Sequence, residues 1–153
     1  MKKIALLFVS VILASATMAQ TEEVRVQQFN LEDGLAIKGY DPVAYFTKNK
    51  AVEGKRKWKY KYEGVTYYFT DSTNRAIFTK SPKNYEPQYG GWCAYSISNL
   101  NEKEESDPET FKILNGKLYF FYHTVAINTL KKWNKNEERL KALGDINWTA
   151  MFR

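Results

Sequence analysis

The sequence predicts an α+β fold: a small antiparallel sheet of four to five strands with helices packed on it. Three observations carry that expectation. Aromatic residues make up 16% of the 153 residues, and flat rings pack well on a pleated surface. Two turn dipeptides, Glu63-Gly64 and Asn115-Gly116, each join two runs rich in aromatic and β-branched residues, as in a hairpin. Between and after these runs lie stretches with helical spacing and recognisable caps. Apolar residues amount to 44%, enough to bury one real core, and no internal repeat or low-complexity segment is visible.

Residues 1–19 read as a secretory signal peptide. Lys2 and Lys3 form a positive start, residues 4–13 are almost wholly apolar, and small residues lead to Ala19 as the last residue before cleavage. The apolar run is shorter than the roughly 20 residues a spanning helix needs. The mature chain is therefore expected to be exported, periplasmic or secreted, without a membrane segment. Loss of Lys2 and Lys3 lowers the formal net charge from +6 to +4.

Residues 20–38 form an N-terminal leader, polar at first, with Val24 and Val26 in alternation as in a loose segment or short edge strand. Glu32-Asp33-Gly34 is a turn signal, and residues 35–38 suit a short strand. A single domain then covers residues 39–153. Asp41-Pro42 opens a short helix, because an aspartate caps free amides and proline at the first helical position gives up no hydrogen bond. Residues 57–62 and 65–70 form the first hairpin. Asp71 or Ser72 caps a helix running to about Lys80, which Pro82 stops. Residues 99–108 are polar and aperiodic, hence a surface loop. Residues 110–114 and 117–122 form the second hairpin, the latter apolar on both faces, as in a central strand. Residues 126–143 are expected to be one helix closed by Gly144, with Trp133 buried and Ile146, Trp148, Met151 and Phe152 docking as a tail.

Lys55, Arg56, Lys57, Lys59 and Lys61 alternate with Trp58, Tyr60 and Tyr62. Such alternation is one wet and one buried face of a strand, and an exported protein rarely meets nucleic acid, so no nucleic-acid partner is expected. A single cysteine, Cys93, cannot form an internal disulfide. No Ser-His-Asp set, HExxH, P-loop or GxGxxG is present.

Several pieces together carry a family signal: Asp41-Pro42-Val43, then Tyr67-Tyr68-Phe69 on the second arm of a hairpin, then a helix leading to Phe78, Pro82 and Tyr85. This order resembles the YHS domain, a small module of copper-transporting ATPases, some multicomponent oxygenases and stand-alone bacterial proteins. The wider pattern, through residues 89–95 to Asp107-Pro108, Asn115-Gly116 and Trp133, looks like the exported stand-alone branch. Metal-associated YHS modules carry cysteines where this chain has Ala44, Thr70 and Asn74, so the family's soft-metal site is not expected at those positions.

The run Tyr89-Gly90-Gly91-Trp92-Cys93-Ala94-Tyr95 stands out, because paired glycines among rings mean a tight turn or a close approach. Tyr40, Asp41, Tyr89, Trp92, Cys93 and Tyr95 are the candidate ligand-binding residues, since rings with polar tips near loops suit small-molecule recognition. Cys93 and His123 are the remaining soft ligands for a copper, zinc or iron ion. The plainer alternatives are a core thiol and an ordinary strand-end imidazole for these two, and a helix cap for Asp41. The resemblance implies a non-enzymatic module binding a small ligand or metal ion. An enzyme using Cys93, and an interaction domain without a pocket, are the alternatives.

Overall fold

The computed structural model describes residues 22–151. The expected signal peptide at residues 1–19 and Phe152 lie outside the described residues. No helix among the described residues is long and apolar enough to cross a membrane.

Residues 22–28, expected as part of a loose leader or short edge strand, form a helix: α1 spans Glu22–Gln28. Glu22 and Glu23 suit the positive end of its dipole. A helix of two turns needs tertiary support, and it comes from Arg25. That side chain is buried, sits 4.6 Å over the Phe29 ring and donates to Glu86 at 2.6 Å. β1 (Leu31–Glu32) and β2 (Leu35–Ala36) follow, joined by Asp33 (φ 51°) and Gly34 (φ 77°), the positive angles of a type I′ turn. The expected strand stops at Ala36, because Ile37 (φ 55°) and Lys38 (φ 48°) turn left-handed in a 3₁₀ segment, Ile37–Gly39.

α2 (Pro42–Lys48) starts as its cap signal requires. β3 (Lys55–Tyr62) and β4 (Val65–Phe69) form the first hairpin around Glu63 (φ 43°) and Gly64 (φ 85°). α3 (Ser72–Lys80) is capped by Asp71, which accepts from Asn74 N at 2.9 Å. These strands make a four-stranded sheet in the order β1-β2-β4-β3. It is not wholly antiparallel, because β2 meets β4 in parallel through Leu35 and Thr66 after the chain crosses over through α2.

The second hairpin is a separate ribbon of β5 (Asp107–Leu114) and β6 (Lys117–Phe121) around Asn115-Gly116. The polar loop therefore ends before Asp107, which already belongs to β5. β6 is covered on both faces. Its Leu118 and Phe120 join a core with Val43, Tyr45, Val65, Tyr67, Phe69 and Phe78. Its Tyr119 and Phe121 point the other way, into a core with Tyr89, Ile97, Trp133 and Leu140. Parallel bridges from Pro87 to Leu118 and from Cys93 to Phe120 hold the central segment against this strand.

The second core is closed by α4 (Ala94–Asn99), α5 (Thr129–Trp133) and α6 (Glu137–Ala150). The single helix expected over residues 126–143 is thus two helices, starting later and broken after Trp133. Asn128 caps α5, accepting from Lys131 N at 3.2 Å, and leaves Ile127 exposed outside it. Gly144 does not close a helix. It is buried inside α6, where a Cβ would lie under 3.0 Å from Ser98 Oγ and 2.7 Å from Tyr89 Oη. The glycine is there to let α6 approach α4. Trp148 docks on the Tyr89 ring at 6.2 Å, whereas Ile146 is exposed.

Candidate functional site

The Gly-Gly run is a left-handed corner. Tyr89 (φ 52°), Gly90 (φ 60°) and Gly91 (φ 87°) are successive positive-φ residues, a path that only glycine follows without strain. Gly90 also lacks room for a side chain, since a Cβ would stand 3.0 Å from Phe29 Cα. The corner is tied to its surroundings by its carbonyls. Gly90 O accepts from Asn30 N at 2.9 Å, and Gly91 O accepts from Ser106 Oγ at 2.7 Å.

Two clefts flank the corner. One, of about 300 Å³, opens beside Gly91 and is lined by Asn30, Glu32, Ile37, Lys38, Glu105 and Ser106 among others. Its rim carries both charges, Lys38 Nζ lying 3.4 Å from Glu105 Oε2. Its wall includes Ile37 in the left-handed region, a placement that strains a β-branched residue by about 1–3 kcal/mol. The other cleft, of about 440 Å³, lies on the Tyr89 side between Arg25, Glu86, Asp145 and Trp148.

The expected ligand-binding residues do not converge on one point. Tyr89 is buried, and its hydroxyl donates to Asp145 Oδ1 at 2.9 Å. Burial, then the Asp145 charge, hold its phenol well above the ordinary value. Trp92 is half-buried and donates from Nε1 to Gln28 O at 2.6 Å, fixing the corner to the end of α1. Tyr95 lies under Lys132 Nζ, 5.6 Å from the ring centroid. Tyr40 is remote from these, its hydroxyl 3.4 Å from Glu109 Oε1 and its phenol raised by burial and by Glu109.

Cys93 is buried. Its Sγ lies 3.4 Å from Thr129 Oγ1 and accepts the Tyr122 N–H at 3.3 Å. His123 is exposed and belongs to another set, with Nδ1 3.0 Å from Thr110 Oγ1 and 3.4 Å from Asp107 Oδ2. The two soft ligands therefore have separate partners. Among the described residues, no group of three or more His, Cys, Asp or Glu side chains is placed to hold a metal ion.

Asp41 is a fully engaged carboxylate. Oδ1 accepts from Val43 N (2.9 Å) and Ala44 N (3.3 Å), while Oδ2 accepts from Thr70 N (2.8 Å), Thr70 Oγ1 (2.9 Å) and Asn74 Nδ2 (2.7 Å). It is wholly buried, as only a satisfied charge should be. Thr70 and Asn74 are also bonded to one another, at 3.2 Å. Ala44, Thr70 and Asn74 thus meet around one carboxylate, joined to it by hydrogen bonds.

Two groupings carry no sequence signal. Glu86 Oε1 accepts from both Arg25 Nη2 and Tyr67 Oη at 2.6 Å, which ties α1, β4 and the start of the central segment together. Burial, then the Glu86 charge, push the Tyr67 phenol well up. The Gly91 cleft uses Asn30, Ile37, Lys38 and Ser106, which sit in unremarkable stretches of sequence. Only Gly91 itself marks it. No protein-family profile, no curated protein and no solved structure matches this chain.

Proposed function

We propose that the protein is an exported, non-enzymatic module of YHS type that binds a small polar molecule in the cleft beside Gly91. The cleft is the observation that carries this reading. It sits against the segment of oddest composition, contains a strained Ile37 that tertiary structure must hold in place, and presents both charges at its rim. A zwitterion such as a free amino acid matches Lys38 and Glu105 better than a purely anionic or cationic ligand does. The order of the motif pieces along the chain supports the YHS reading.

Other chemistries find less support. The Cys93 thiol is buried against Thr129 Oγ1 and the Tyr122 N–H, and a nucleophilic cysteine needs a stabilised, reachable thiolate. A metal ion at Cys93 would have to reach a buried thiol already placed against Thr129 and the Tyr122 N–H, and His123, bonded through Nδ1 to other partners, offers it no second ligand from Cys93. The test is an amide-resolved NMR titration of the mature protein with a panel of amino acids and small dicarboxylates. At least one amino acid should shift the amides of Asn30, Lys38, Gly91 and Ser106, and Ser106→Leu, checked for folding by its melt, should abolish the shift. If no member of the panel perturbs these amides, the small-molecule reading fails. If wild type holds a stoichiometric metal that Cys93→Ser or His123→Ala removes, the metal reading replaces it.

A further inference from the structure

The chain's surplus of positive charge is gathered in one place. Its formal net charge is +6, and β3 alone carries Lys55, Arg56, Lys57, Lys59 and Lys61 without an acid among them. All five are exposed. Among the described residues, only Lys61 of these has an acidic neighbour within ion-pair range, Glu22 at 4.0 Å. β3 is the edge strand of its sheet, so this row has no strand beyond it.

Simple alternation would put Arg56 on the opposite face from Lys59 and Lys61. The register prevents that. Lys55 pairs with Phe69 but Tyr60 pairs with Tyr67, so β3 carries extra residues between these pairs and bulges. Arg56, Lys59 and Lys61 come to line one open cleft of about 480 Å³, with Thr66 and Tyr68 in its wall and Asp33 as its acid. Lysine on an edge strand also deters strand pairing, but that role requires neither a cleft nor cations gathered beside a tyrosine.

We propose that this cationic cleft is a docking surface for an acidic polysaccharide, whose carboxylate or sulfate groups would pair with Arg56, Lys59 and Lys61 while a sugar face rests on Tyr68. The site is separate from the Gly91 cleft and does not depend on what fills it. Two features favour a polysaccharide over other polyanions. Single-stranded nucleic acid needs several rings on which successive bases stack, but the cleft offers only Tyr60 and Tyr68, and the rings of β3 are engaged with neighbouring side chains. Tyr60 and Tyr62 meet Phe78 edge-on at 6.3 Å, and Trp58 lies between Lys57 and Arg75. An anionic membrane would gain from apolar residues flanking the cations, and the exposed large apolar residues, Val26 apart, lie elsewhere, at Leu100, Val125, Ile127 and Ile146.

The experiment measures binding of the mature protein to a heparin oligosaccharide by calorimetry at several salt concentrations. Affinity should fall as salt rises, and Arg56→Glu/Lys59→Glu/Lys61→Glu should weaken it by at least about tenfold. A control with the same charge change elsewhere, Lys117→Glu/Lys131→Glu/Lys135→Glu, should stay within about twofold, since those residues belong to β6, α5 and the turn after it and none lines the cleft. Circular dichroism verifies folding, and the milder Lys59→Ala/Lys61→Ala variant should show an intermediate loss. The proposal is overturned if both triple variants lose affinity equally. It is also overturned if a thymidine oligonucleotide or phosphatidylglycerol vesicles bind more tightly than heparin at matched charge, or if heparin does not bind.

Discussion

Substituting alanine for Gly144 tests the packing of α6 on α4. If Gly144 faced solvent within α6, alanine in its place would stabilise the chain through helix propensity, by about 1 kcal/mol. The packing argues for the opposite sign. The new Cβ would fall under 3.0 Å from Ser98 Oγ, 2.7 Å from Tyr89 Oη and 2.9 Å from Tyr89 Cζ. Ser98 Oγ can swing away, but Tyr89 is buried and its hydroxyl is held on Asp145. Relief therefore requires α6 to move outward or the Tyr89–Asp145 bond to stretch. Overpacking typically costs about 1–3 kcal/mol and a strained hydrogen bond about 1 kcal/mol more. After the propensity gain, the net loss should be about 1–3 kcal/mol, roughly 3–8 °C in Tm for a chain of this size. Urea denaturation of wild type and Gly144→Ala, followed by tryptophan fluorescence, measures it. An unchanged or raised midpoint would mean that the helices are not in contact at this glycine. Ser98→Ala offers a companion measurement. Ser98 Oγ is the buried side-chain polar atom without a partner among the described residues, so its removal should be neutral or stabilising.

Three further outcomes follow from the buried polar groups. Asp41→Asn keeps the shape but turns an amide toward the donors of Thr70 or Asn74, and should lower stability by about 2–4 kcal/mol in chemical denaturation. Glu86→Gln should cost about 1–3 kcal/mol, because a neutral amide replaces the buried carboxylate while Arg25 keeps Glu63 Oε2 at 3.3 Å, and Arg25→Met/Glu86→Met should cost distinctly less than the sum of its singles in a double-mutant cycle. Tyr45, Tyr67 and Tyr89 are all raised above 10.0, chiefly by burial, and Tyr62 is pushed up to about 12 by burial and Glu63. Below pH 10 these phenols are protonated folded and unfolded alike, so their contribution is fully present. Above it the unfolded chain alone releases protons, and stability should fall until the folded groups can ionise. Absorbance at high pH should then show part of the tyrosine population titrating only as the protein unfolds.

Local chemistry wrote much of the fold into the sequence. Asp41-Pro42 starts a helix, Glu63-Gly64 and Asn115-Gly116 close hairpins, and Asp71 caps α3, because each works through bonds within a few residues of itself. The misreadings come from distance. α1 looks like a polar leader because its support, Glu86, lies 61 residues away. Gly144 reads as a terminator because the side chains that require a glycine there, Ser98 and Tyr89, belong to other elements. The Gly91 cleft was half legible: its glycines announced a tight corner, but Asn30, Ile37 and Ser106 are ordinary residues until the chain folds them around it. Cys93 and His123 stood out by rarity, which says nothing of what each touches.

β6 has a consequence for where this molecule can be cut. The stretch carrying the YHS-like pattern ends at Tyr85, and with its own helices and hairpin it has the outline of a portable unit. Yet Leu118 and Phe120 fill its core from the far end of the chain, while the alternate residues of the same strand fill the other core. A fragment ending at Tyr85 would open a hole where two large side chains belong, and a fragment beginning there would lose the partners of its central strand. The two halves share a wall, so they should melt in a single transition and neither should survive excision.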